Sequence, residues 1–167
     1  ERLDYDQVIT ATHSDQTLKM LDDPSTAEIE ILSAIPYQEN LTVLHTDVAL
    51  MPRLRAAWAS WNYLIPKERL GRVALTYDMN RLQTLSSAEQ FCVTLNMPAA
   101  IDPTHRIKEI LYHHPVYDPK GLAARKRHKE INGTNRTWFC GAYWGYGFHE
   151  DGVNSALAVC QKFGKTI

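Results

Sequence analysis

The sequence is poor in cysteine: Cys92, Cys140 and Cys160 are odd in number, far apart, and no CxxC occurs among its 167 residues. That excludes a zinc ribbon and a disulfide framework. Charge of either sign is not in excess, since the net charge is −1. No global field therefore draws nucleic acid or an anionic membrane. The one basic cluster, "RKRHK" from Arg125 to Lys129, reads as the solvated face of a helix. No apolar run approaches the roughly 20 residues that cross a bilayer. No signal peptide is recognisable, so with reduced thiols the expected location is cytoplasmic. The sequons Asn40-Leu41-Thr42, Asn132-Gly133-Thr134 and Asn135-Arg136-Thr137 then read as turn chemistry. The chain starts at Glu1 rather than Met and runs almost directly into "YDQVITAT", so it is expected to be a piece of a longer protein.

What remains is a globular composition, 44% apolar and 22% charged, long enough for a substantial core. Residues Asp6 to Thr12 suit a buried strand. Ser14 would cap a short helix over Asp15 to Leu21, stopped by Asp22-Asp23-Pro24. Ser25 or Thr26 would cap the next helix, through Ala34, with Ile29, Leu32 and Ile35 as its stripe. The period then changes to two. Asn40 to Leu50, Ala56 to Ile65, Arg72 to Gln83, Gln90 to Asn96 and Glu109 to Asp118 read as strands rich in aromatic and β-branched residues. Their short connections leave no room for crossover helices, so the sheet is expected to be antiparallel. A basic helix, Gly121 to Ile131, and an Asn132-Gly133 turn follow. A strand at Thr137 to Ala142 and a helix from Glu150 to Phe163 end the chain. The stripe of that helix would be Val153, Leu157 and Cys160, and Gly164 its C-cap.

The expected fold class is α+β, an antiparallel sheet of four or five strands with helices. Two βα units flank it at the chain ends.

The segment "TWFCGAYWGYGFHEDGVNSAL", Thr137 to Leu157, is the chemical centre of the reading. An ordinary strand-to-helix connection needs one glycine and a cap. Here Gly141, Gly145, Gly147 and Gly152 alternate with Tyr143, Trp144, Tyr146 and Phe148, then Glu150 and Asp151 open a helix. A helix start offers unbonded N–H groups and partial positive charge, and Gly147 and Gly152 would let backbone approach a ligand. The arrangement suits a cofactor cradle, although structural turns share most of it.

That segment, with "LHTDVALMPRLRAAWASWNY" and "HPVYD", resembles the flavin amine oxidase and phytoene-desaturase superfamily. It is most similar to its bacterial NAD/FAD-binding, amine-oxidase-like proteins. The resemblance implies that residues 24–136 form a substrate-binding-like sheet domain. Residues 1–23 and 137–167 would be remnants of an FAD-binding domain. It also implies an upstream GxGxxG for the FAD pyrophosphate, and this chain has none. The isolated chain is thus expected to be inactive and free of FAD. Its partners would be the FAD-binding N-terminal part of the same protein and a small amine or lipid-like substrate. Homo-oligomers could form through exposed strands. Carried over by position, Gly141 would end the strand beside the flavin, where Ala142 replaces the family's acidic contact to the ribityl chain. Gly147 and Phe148 would stand at the substrate cage. His149, Glu150, Asp151, Gly152 and Val153 would turn backbone N–H groups to the pyrimidine edge. Trp144 and Trp61 join Phe148 as candidate substrate walls.

Other candidates have plainer readings beside the functional ones. His45 and Asp47 share one strand face and suit a metal or a dyad, or are ordinary strand polars. His113 and His114 point to opposite faces and cannot chelate one ion. Trp58, Trp61 and Tyr63 suit sheet packing or an apolar wall. No residue stands out as general base or nucleophile, which agrees with chemistry carried by a flavin. The alternative is a binding module without redox activity.

Overall fold

The structure, a computed structural model, describes residues 3–66 and 71–166. In chain order the elements are β1 (Val8–Thr10), α1 (Ser14–Met20), α2 (Thr26–Ser33), β2 (Tyr37–His45), β3 (Trp61–Tyr63) and β4 (Leu75–Asp78). Then come α3 (Met79–Leu82), β5 (Cys92–Leu95), β6 (Arg106–Pro115), α4 (Pro119–Arg125), α5 (His128–Ile131), β7 (Thr137–Phe139) and α6 (His149–Cys160). The α+β expectation holds: a five-stranded antiparallel sheet accompanies a two-stranded parallel one. Among the described residues no helix is long and apolar enough to cross a membrane.

Contacts divide the chain into two units, Glu1–Gln38 with Pro115–Ile167, and Glu39–His114. These boundaries differ from those expected at 23/24 and 136/137. The reason is packing: Ile31 and Leu32 of α2, Ala124 of α4 and Ile131 of α5 share one core with Phe139 of β7. Helices assigned by order to the sheet domain thus belong to the unit formed by the chain ends.

In the first unit β1 pairs in parallel with β7, Val8 opposite Thr137 and Thr10 opposite Phe139. Ser25 caps α2 as expected: its Oγ accepts the Glu28 amide at 3.3 Å and its own amide donates to Glu28 Oε2 at 2.7 Å. The buried face of α2 carries Glu28, Ile31 and Leu32, with Ile29 exposed. Of the predicted stripe Leu32 and Ile35 are buried and only Ile29 is not; Glu28 takes its place, at i, i+3, i+4 with Ile31 and Leu32. The basic helix is two, because Lys126 and Arg127 turn out of α4 before α5. Asp118 caps α4, accepting the Gly121 amide at 2.6 Å. Arg125, expected in solvent, is buried at 8% exposure.

In the second unit the strand order is β3-β4-β5-β2-β6. The strands are shorter than their apolar runs. Arg72 to Gln83 divides into β4 and α3, where Asp78 Oδ1 accepts the Arg81 amide at 3.0 Å and starts the helix. One row across the sheet is Asn62, Thr76, Thr94 and Val43, and the next is Asp78, Cys92 and His45. All seven are buried. This face buries polar groups and joins them: His45 Nε2 bonds Thr94 Oγ1, and Thr94 Oγ1 bonds Thr76 Oγ1, each at 2.8 Å. A row of the opposite face is Trp61, Tyr77, Val93 and Leu44.

Candidate functional site

The glycine-aromatic segment forms a compact loop between β7 and α6. Gly141 sends its amide to Ser155 Oγ at 2.8 Å, and Ala142–Trp144 make one 3-10 turn. The Ala142 carbonyl then accepts the amides of Gly145 and Gly147, at 3.0 and 3.1 Å. Asp151 Oδ2 reaches back to accept the amides of Tyr146 and Phe148, each at 3.0 Å. The N-cap residue Phe148 has no side-chain acceptor of its own, so only the Asp151 half of a capping exchange is made.

Two glycines are required here by what surrounds them. A Cβ at Gly145 would fall inside the Asp151 carboxyl group. Gly147 has φ 87°, and a Cβ there would lie 2.7 Å from the Tyr117 hydroxyl. Gly152 is different, since its Cβ would meet Ala142 at an ordinary 3.8 Å. The inward face of α6 carries Ser155 and Val159, while Val153 is exposed. The expected stripe of Val153, Leu157 and Cys160 is corrected: Ser155, which holds the Gly141 amide, and Val159 are the buried residues, Leu157 and Cys160 are half-buried, and Val153 is exposed.

The aromatics divide. Tyr143 is buried, its hydroxyl has no hydrogen-bond partner, and burial pushes its pKa far up. Trp144 packs against the core of the first unit and lies 4.2 Å from the His128 ring. His128 Nε2 donates to the Phe139 carbonyl at 2.7 Å, and burial lowers its pKa. Tyr146 and Phe148 are exposed, the former against Tyr117 at 6.0 Å between ring centroids. Of the residues expected along the flavin, His149, Glu150 and Asp151 have amides bonded to nothing among the described residues. The Gly152 amide is already committed to the Phe148 carbonyl at 3.3 Å.

Arg125 and Tyr117 escaped the sequence reading. The guanidinium lies 4.3 Å over the Tyr117 ring centroid, and its Nε and Nη2 are buried without a partner. The spacing was visible: Gly121, Ala124, Arg125 and His128 follow i, i+3, i+4, i+7, but the charge run masked it.

In the second unit a cavity of ≈ 380 Å³ opens on the aromatic face of the sheet. Leu44, Phe91, Val93, Ile110 and Tyr112 line it, with Lys108 contributing a charged group. Trp61, exposed and edge-on to Tyr77 at 5.9 Å, extends the row that contains Val93 and Leu44. It does not itself line the cavity. His45 and Asp47 have different side-chain partners. His45 is wholly buried on Thr94, while Asp47 accepts the amides of Ala49 and Asp102 at 2.8 and 2.9 Å. Among the described residues no cluster of His, Cys, Asp and Glu could hold a metal ion.

Comparison with protein-family models finds none that matches this chain, and comparison with curated proteins likewise finds no match.

Proposed function

We propose that this chain is part of an FAD-dependent oxidoreductase of the amine-oxidase type. In that reading the first unit belongs to the flavin-binding part and the second to the substrate-binding part. The observation that carries it is the start of α6, where the amides of His149, Glu150 and Asp151 are unbonded at the end of a strand–glycine loop. Glu150 and Asp151 make this an unfavourable seat for a phosphate. A neutral carbonyl edge, such as the pyrimidine side of an isoalloxazine, fits the free donors without opposing those carboxylates. Gly141, Ala142, Gly147, Gly152 and Val153 would then shape the approach rather than donate.

The chemistry that FAD supplies at such a site is acceptance of a hydride from a C–N or C–C bond. This chain's own share is orientation: the loop is held by Asp151, and Phe148 presents an exposed ring beside the helix start. The apolar cavity of the second unit suits the hydrocarbon portion of an amine or lipid-like substrate. The partner implied is an FAD-binding segment carrying GxGxxG. The test is to express the complete reading frame around this chain and to record its absorption spectrum. Co-purifying flavin, bleached anaerobically by an amine or lipid substrate, is the expected result. A frame without GxGxxG whose product is colourless would overturn the reading.

A further inference from the structure

Arg125 has 8% of its surface exposed and no carboxylate within ion-pair distance among the described residues. Its neighbour is a ring, Tyr117, against which the guanidinium stacks. Stacking occupies the face of that group, and a side-chain hydrogen bond to Tyr117 also acts on it, yet part of its in-plane donor set stays unused. The two nitrogens buried without a partner are Nε and Nη2. They form one edge of the guanidinium, the edge that grips both oxygens of a carboxylate or phosphate through parallel N–H···O bonds.

A cation buried with that fork empty destabilises the folded chain, and an apolar residue of similar size would pack better. Stacking on Tyr117 accounts for the face of the guanidinium but not for the empty edge at Nε and Nη2. The Tyr143 hydroxyl and Trp144 Nε1 are also buried without a hydrogen-bond partner. Tyr37 lies within electrostatic reach of Arg125, of Tyr143 and of Asp15, whose Oδ1 is also buried without a partner. The Tyr37 hydroxyl is itself engaged, accepting the Ser14 amide at 3.0 Å.

We propose that Arg125 is the recognition residue of an oxyanion site in the first unit, taking a carboxylate or phosphate side-on through Nε and Nη2. Tyr117 fixes the plane of the fork. Gly147, where a Cβ would collide with the Tyr117 hydroxyl, leaves room for that ring on the loop side. Both nitrogens are covered by protein atoms, so an anion reaches them as side chains shift, and its binding should rigidify the unit. The inference concerns this unit alone and does not depend on the flavoenzyme reading.

The test is thermal unfolding of the whole chain against sodium benzoate and, separately, inorganic pyrophosphate, with sodium chloride at matched ionic strength as control. The expected result is a saturable rise of the midpoint with one of them. A benzoate response assigns a carboxylate-bearing small molecule, and a pyrophosphate response assigns a nucleotide phosphate. Arg125→Met should unfold no earlier than the parent and should lose the response. Arg125→Lys keeps the charge without the fork and should bind at least tenfold more weakly. The proposal is overturned if neither anion exceeds chloride, if Arg125→Met responds as the parent does, or if Arg125→Lys binds with parental affinity. Arg125→Met unfolding at a clearly lower temperature would make the residue a packing element and would also overturn it.

Discussion

Gly145 and Asp151 occupy one space: a Cβ on Gly145 would fall within the Asp151 carboxyl group, whose Oδ2 holds the amides of Tyr146 and Phe148 at 3.0 Å. The loop is closed by this pair. Gly145→Ala must push the carboxylate off both amides, and the expected loss is about 1–3 kcal/mol, the range for an overfilled site. Asp151→Ala should fall in a similar range by removing the acceptor. Gly152→Ala is the contrasting case. Its Cβ has room, so the better helix former should raise stability by about 0.5–1 kcal/mol. Urea denaturation of the three variants checks the set, and Gly152→Ala proving the most damaging would refute this account of the loop.

Acid should weaken the fold through its buried histidines. His45 is driven below its ordinary pKa of 6.5 by burial, with Asp47 opposing and His105 adding to the shift. The neutral ring is the folded form, whereas the unfolded chain takes a proton at the ordinary value. Stability is therefore complete above pH 6.5 and lost as pH falls from there through the lowered folded value. Asp47 is itself held below 3.8, chiefly by the Asp102 amide. His128, also lowered by burial, acts in the same direction. His45→Gln, which can keep a bond to Thr94 without titrating, should flatten part of the slope of urea midpoint against pH. An unchanged slope would remove His45 from the explanation.

The Ser25–Glu28 exchange at the start of α2 satisfies two backbone amides, those of Ser25 and Glu28. Ser25→Ala should cost about 1 kcal/mol, a typical value for an N-cap of this kind. Ser25→Asp should recover most of it, since a carboxylate also accepts from the Glu28 amide. The two unfolding free energies, measured side by side, decide this.

How far the residues alone foretold this structure depends on which signal was being read. Local chemistry carried well: the Ser25 cap, the Asn132-Gly133 turn with Gly133 at φ 89°, and the alternation that produced a five-stranded sheet. Tertiary choices carried poorly. Large apolar side chains drew the predicted stripe of α6 to Val153, yet the structure turns Ser155 inward because the Gly141 amide needs its hydroxyl. Arg125 was hidden by its charged neighbours, since burial of a cation depends on Tyr117, a residue from before the helix. Gly152 looked like the close-approach glycine from its place in the motif. Only the folded loop brings Asp151 back onto Gly145. Where hydrogen bonds run between segments, sequence spacing has no access to the outcome.

A parallel pair of three-residue strands is a small sheet, and parallel sheets are normally covered on both faces. Here Val8 and Ile9 are 47% and 52% exposed, and among the described residues β1 pairs with β7 alone. Its other edge presents unpaired backbone groups beside apolar side chains, a template for further strands. The flavoenzyme reading supplies those strands from the FAD-binding part of the same protein. Purified by itself, the chain should instead associate with copies of itself as concentration rises. Ile9→Lys places a charge on that edge without entering the core, so it should shift the population toward monomer and leave the urea midpoint nearly unchanged. Light scattering over a concentration series separates the possibilities. If the parent chain stays monomeric throughout, the β1 edge needs no partner; if Ile9→Lys associates as the parent does, the contact lies on another surface.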